Sequence, residues 1–204
     1  AEELQPGVGA GMQGLGTASR ADAAARANQG QVLGVNDEFW GLGGPGEESA
    51  GLAGGEVVLN ERLAEQLKAG RGDTVVLRVT KPSGLSREAA IAPQEDASKA
   101  MRLRVARVLG DEAMGRFSLR ASQIPPFNAF VPLGWLQEAL DLGGRANLLL
   151  VQSGAGLGVE TAQAAVKRHW QLADAELELR ELPGRDVVEL RTTRVFDPTR
   201  AVGK

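Results

Sequence analysis

Residues 101–109, MRLRVARVL, put Met101, Leu103 and Val105 on one side of a two-residue alternation and Arg102 and Arg104 on the other. A helix would scatter those positions around its circumference, whereas a strand sends successive side chains to opposite faces. The pattern predicts a half-buried antiparallel strand. TVVLRV at 74–79 reads the same way from its β-branched and aliphatic residues, and EVVLN at 56–60 as a short strand. Between them NERLAEQLK at 60–68 predicts a helix, with Asn60 as N-cap and Leu63 and Leu67 on one apolar face. GRGD at 70–73 turns the chain back; its Arg-Gly-Asp matches a cell-adhesion tripeptide, but turn chemistry explains it.

The flanking thirds read differently. Residues 7–36 are rich in Gly and Ala and predict two strands, QVLGV at 31–35 being the clearer. GLGGPGEESAGLAGG at 41–55 is a loop and a candidate boundary. Residues 81–100 and 115–130 predict long loops, and FVPLGWLQEAL at 130–140 a strand running into a helix. NLLLVQ at 147–152 predicts a strand covered on both faces. VETAQAAVKRHW at 159–170 predicts an amphipathic helix with Val159, Ala162, Val166 and Trp170 inward. AELELREL at 175–182 and VVELRTTRV at 187–195 predict a hairpin through PGRD, so a helix here joins two strands as a β-α-β unit.

Composition narrows the chemistry. The 204 residues include no Cys and one His, which removes thiol catalysis, disulfides, Cys-based zinc sites and every two-His metal motif. A net charge of −3 gives no general attraction to nucleic acid. No run of 18 apolar residues spans a bilayer, and AEELQPG lacks a signal peptide's basic and apolar regions. The opening Ala1 and the uncapped end VFDPTRAVGK predict a segment of a longer protein, with a mature exported protein as the alternative.

Several short motifs have plainer roles. Gly9, Gly11 and Gly14 match G-x-G-x-x-G, yet Pro6 sits where the required strand should end, and flexible turn glycines explain them better. Gly154, Gly156 and Gly158 lie between a predicted strand and helix, with Asp174 and Glu178 at ribose-contact distance in sequence; their spacing departs from the motif, and a linker is the better reading. His169 reads as a helix-end dipole partner or a packed side chain. Glu47 with Glu48 and Asp111 with Glu112 read as solvated loop charges. No nucleophile constellation occurs, so no catalytic, cofactor-binding or metal-ligating residue is assigned. Phe117, Pro125, Pro126, Phe127 and Phe130, with Ile124, concentrate three of five phenylalanines in fourteen residues. They either pack between the β-rich middle and the C-terminal elements, or form an apolar rim contacting a partner.

Taken in order, QVLGVNDEFW, GEVVLNERLAEQL, GDTVVLRV, LRVARVLGD, FVPLGWLQEAL, and ANLLLVQ followed by VETAQAAV resemble the extracytoplasmic core domain of ABC transporter permeases of the MacB/FtsX-like family. The likeness covers roughly residues 30–182 and rests on the ordered series, not on any one piece; residues 81–100 and the glycine-heavy start depart from it. The resemblance implies an α+β fold with a porter-like split lobe carrying β-α-β elements (residues 1–54 and 128–182) and an inserted β-rich lobe (residues 55–127). Residues 183–204 would supply a hairpin strand and a link to a further C-terminal part. It also implies a non-catalytic domain, without cofactor, on the periplasmic or extracellular side of the cell membrane. Such a domain couples ATP hydrolysis by a cytoplasmic subunit, reached through transmembrane helices, to export or to an adaptor, lipoprotein or cell-wall enzyme. A free-standing exported binding module is the alternative, and a Rossmann-like nucleotide-binding protein the next.

Overall fold

A computed structural model describes residues 7–43, 51–81, 98–152, 158–175, 177–182, 184 and 187–192. The fold is α+β. Two compact units divide the chain, one from Ala1–Lys81 and Asp96–Gly156, the other from Pro82–Glu95 and Leu157–Lys204.

The larger unit contains β1 (Val8–Arg20), β2 (Arg26–Val35), α1 (Asp37–Gly41), β3 (Glu56–Asn60), α2 (Glu61–Leu67), β4 (Thr74–Thr80), β5 (Ser98–Leu109), β6 (Asn128–Pro132), α3 (Leu133–Ala139) and β7 (Leu148–Val151). Six of these strands close into a ring. β1 pairs antiparallel with β2, β2 parallel with β6, β6 antiparallel with β3, β3 parallel with β5, β5 antiparallel with β4, and β4 antiparallel with β1. The 13-residue β1 makes this closure feasible, because it also pairs with β7 through Val8–Gly11 on the edge that β4 takes further along.

Alternation then fills the two sides of the wall. Met12, Val32, Val57, Leu59, Val75, Leu77, Leu103, Val105, Ala129 and Val131 point inward, and all six strands contribute to this one cluster. Leu63 and Leu67 of α2 and Leu136 of α3 join it, so the expected apolar face of α2 is buried there. The intervening residues Leu33, Val35, Val58 and Phe130 point outward and are covered by Phe39 and Trp40 of α1. β2, β3 and β6 are therefore buried on both faces at this end. Arg102 and Arg104 stay exposed while Met101, Leu103 and Val105 are buried, as the alternation predicts.

Several expectations change. Residues 55–127 do not separate from 1–54 and 128–182 along the expected boundaries. β3, β4 and β5 complete the ring with β1, β2 and β6, and main-chain pairs such as Val58 with Phe130 cross those boundaries. Gly9, Gly11 and Gly14 are strand residues of β1, not turn glycines; an added Cβ at Gly9 would come 3.2 Å from Phe39 Cα, where α1 packs. At Gly16 the same atom would sit 2.7 Å from the Arg78 carbonyl oxygen, beside a register shift that bends the strand into the ring. Gly16→Ala should therefore lower stability by about 2 kcal/mol, read as an earlier urea midpoint at unchanged slope. β7 is covered on one side only, with Leu148 buried and Leu149 exposed; among the described residues it is an edge strand, paired with β1.

The second unit contains α4 (Val159–His169), a 3-10 turn at Leu172–Ala175, and the antiparallel hairpin β8 (Leu177–Glu181) with β9 (Val188–Thr192). The hairpin agrees with expectation. α4 has no buried residue, so Val159, Val166 and Trp170 do not face inward: the stripe has the right spacing but no apolar cover among the described residues. β8 belongs to a separate two-stranded sheet, so α4 does not bridge strands of one sheet. The glycines at 154 and 156 lie outside the described residues.

Candidate functional site

Two buried asparagines organise the segment that holds the phenylalanine-proline cluster. Asn60 ends β3 and caps α2, its Oδ1 accepting from Leu63 N at 3.1 Å and from Asn128 N at 3.0 Å. Its Nδ2 donates to the carbonyls of Gly115 and Pro126, both at 2.9 Å. The amide oxygen and the amide nitrogen of Asn60 thus have two partners each. Asn128, which opens β6, donates from Nδ2 to the Gly115 carbonyl at 3.1 Å and the Phe117 carbonyl at 2.8 Å. Between them the two side chains fasten both ends of residues 115–126 to the strand wall. An irregular turn at Asp111–Gly115 leads into this loop, with Met114 at φ 60°. A Cβ on Gly115 would lie 2.4 Å from the Gly110 carbonyl oxygen, so the turn admits no side chain there.

The loop itself is locally tied. Ser118 Oγ donates to the Arg120 carbonyl and accepts from its N–H, and Ser122 Oγ does the same at Ile124. Arg116 pairs with Asp111 at 3.5 Å. Leu119 and Ile124 stand out at 57% and 62% exposure.

The five singled-out residues separate into different environments. Phe130 is 0% exposed, its ring centroid 5.4 Å from that of Trp40 and 5.9 Å from that of Phe39. As a partner contact it is corrected, since β6 aims it into the cluster beneath α1. Phe117 is half-buried and meets Phe39 edge-on at 5.2 Å. Phe127 is half-buried against the inner cluster, with the Arg62 guanidinium 4.5 Å from its ring centre. Pro125 and Pro126 are half-buried. The exposed apolar groups of the loop are thus Leu119, which composition did not single out, and Ile124.

Elsewhere, Arg71-Gly72-Asp73 is a turn: Asp73 Oδ2 accepts from Gly70 N at 2.8 Å, and Gly72 takes φ +92°. His169 is exposed in the last turn of α4 beside Lys167 and Arg168. Among the described residues no three His, Asp or Glu side chains gather into a metal-binding group, and no helix is long and apolar enough to cross a membrane. The Asp141 carboxyl is held below its usual range by the hydrogen bond from Lys81 at 2.9 Å, and by the charge of that lysine. Its contribution to stability is present above the unfolded-state value and lost as pH falls through the folded-state value. Lys81→Met should bring the Asp141 titration, followed by carboxyl NMR, back up toward the ordinary aspartate range.

No family model matches the chain, and no curated protein matches it. Among solved structures it is similar to the periplasmic region of MacB from Actinobacillus actinomycetemcomitans, at 13% identity and a TM-score of 0.45, over 91% of this chain and 71% of that one.

Proposed function

We propose that this chain is an extracytoplasmic domain of an ABC transporter permease of the MacB/FtsX-like kind, passing work from a cytoplasmic ATPase to a partner outside the membrane. The observation that carries this reading is the ordered series of sequence segments and its place in the fold. NDEFW enters α1, GEVVLNERLAEQL forms β3 and α2, GDTVVLRV forms β4, LRVARVL lies in β5, FVPLGWLQEAL forms β6 and α3, and LLLV is β7. One compact unit thus takes up most of the series.

The domain works by contact. The loop of residues 116–126 is the contact we assign, because Asn60 and Asn128 fix its ends while Leu119 and Ile124 project from it. Burying two such side chains against a partner contributes about 1.5–3 kcal/mol each, ample for a regulated encounter. The partner outside the membrane is an adaptor, a lipoprotein or a cell-wall enzyme, and the ATPase is reached through transmembrane helices of the whole protein.

These 204 residues contain no cysteine, so a thiol introduced among them, compared with the unsubstituted protein, provides a direct test. Ile124→Cys in the full-length protein should react with a membrane-impermeant maleimide in intact cells. Labelling only after lysis would place the domain in the cytoplasm and overturn the reading. Labelling of a product released from cells, with no membrane-bound form, would favour a free-standing exported module instead.

A further inference from the structure

We infer that the partner docking at the 116–126 loop is a protein segment carrying carboxylates beside apolar side chains, and that Arg62 and Arg26 receive those carboxylates. The inference rests on the loop being a contact surface, as proposed above, and not on the transporter setting. Three contacts line the loop up with these arginines. The Arg62 guanidinium lies 4.5 Å from the centre of the Phe127 ring, and Phe127 follows Ile124 by three residues. The Phe127 carbonyl accepts from Gln31 N at 2.7 Å, which sets that residue beside β2. One turn along α2 from Arg62, Gln66 Nε2 donates to the Arg26 carbonyl at 3.0 Å, at the start of β2. The loop end, Arg62 and Arg26 thus follow one another along one side of the larger unit. The chain is described without a break through each of these elements, within residues 7–43, 51–81 and 98–152.

The cations on this side have no counter-charge. Among the described residues, Arg20 pairs with Asp22, Lys81 with Asp141, Arg104 with Glu56 and Arg116 with Asp111, whereas the guanidinium groups of Arg26, Arg62 and Arg120 form no ion pair. The nearby acids do not supply one. Asp22 is held by Arg20 at 3.1 Å. Glu61 turns toward Gly110, where an added Cβ would come 3.4 Å from its carboxylate. Glu65, three residues along α2 from Arg62, is exposed and leaves it unpaired. Residues 113–137 carry Arg116 and Arg120 and no Asp, Glu or Lys, in a chain whose net charge is −3. A local positive field therefore sits on a chain that is acidic as a whole.

The chemistry of the two arginines selects the ligand. A guanidinium held over an aromatic ring keeps N–H donors of its planar fork free at the edge, and these match a carboxylate two at a time. The ring also shields one face of the cation from water, which strengthens a charge pair made there. Ile124, mostly exposed on the same side, adds an apolar anchor next to the charges. A lipid phosphate would suit the same donors, but a bilayer of anionic lipid presents its charge to the whole approaching chain and meets the net −3. A protein segment brings its carboxylates to the arginines alone, so the local field favours it.

The probe is a fluorescein-labelled peptide of alternating glutamate and leucine, titrated with the full chain and followed by anisotropy. It should bind, more weakly as salt rises, while the matching lysine–leucine peptide should not. Arg62→Glu and Arg26→Glu should each weaken binding about tenfold or more, and Arg102→Glu, on the exposed face of β5, should leave it unchanged. Arg26 is exposed at the start of β2, so its variant tests the charge without disturbing α2. Ile124→Ser reports on the loop separately. Undiminished binding by that variant, with loss in both arginine variants, would remove the loop from the contact and leave the acidic partner standing. No binding of the glutamate peptide, equal binding by all three arginine variants, or binding to phosphatidylglycerol vesicles in place of the peptide would each overturn the inference.

Discussion

Phe130→Ser should destabilise the larger unit by about 5 kcal/mol, enough to unfold a domain of ordinary stability. The ring is fully buried between Phe39 and Trp40, on the central residue of a strand that is itself buried on both sides. Replacing it leaves a ring-sized cavity and places a hydroxyl among aromatic side chains. Ile124→Ser, six residues earlier, should change stability by no more than about 0.5 kcal/mol, because that side chain is mostly in water. Urea titration by far-ultraviolet circular dichroism separates the two. Equal losses would mean that the loop is part of the core. A fully folded Phe130→Ser protein would mean that the aromatic cluster is not formed. With the fold of Ile124→Ser secure, loss of transport or partner binding in that variant would mark the loop as an interface.

Asn60→Ala should cost about 4 kcal/mol. The alanine removes four hydrogen bonds from a site with 1% exposure. It strands the N–H groups of Leu63 and Asn128 and the Pro126 carbonyl, each costing about 1–3 kcal/mol when buried and unpaired. The Gly115 carbonyl keeps its bond from Asn128. Asn60→Asp separates the two jobs of this side chain, since a carboxylate still caps α2 but cannot donate to the Gly115 and Pro126 carbonyls. Both variants should raise amide exchange across residues 115–126, whereas only Asn60→Ala should raise it in the first turn of α2. Protection of the loop unchanged in Asn60→Asp would show that the clasp does not hold it.

Many of the individual strands and helices were legible because the relevant residues are chosen locally. Met101, Leu103 and Val105 alternate with arginines, and that face is buried. Asn60 sits three residues before an apolar i, i+4 pair and caps the helix. Asn60 also shows where such reasoning stops. Its cap partner is three residues away, whereas its other partners are 55, 66 and 68 residues away, and nothing in the surrounding sequence signals them. The signal that was present but misread is the density of glycine in residues 7–16. It marks a strand pressed against α1 and β4, where side chains do not fit, and glycine alone looks the same in a turn.

The amino-acid sequence by itself determined which short segments become strands or helices and which face of each is apolar, because periodicity and capping act over a few residues. Only the tertiary structure decided that β1 reaches β4 and closes a ring. It also decided that Phe130 lies inside while Leu119 and Ile124 lie outside, and that the stripe on α4 finds no cover among the described residues. Those outcomes depend on pairings between residues tens of positions apart. Their energy comes from surfaces that exist only once the chain has folded.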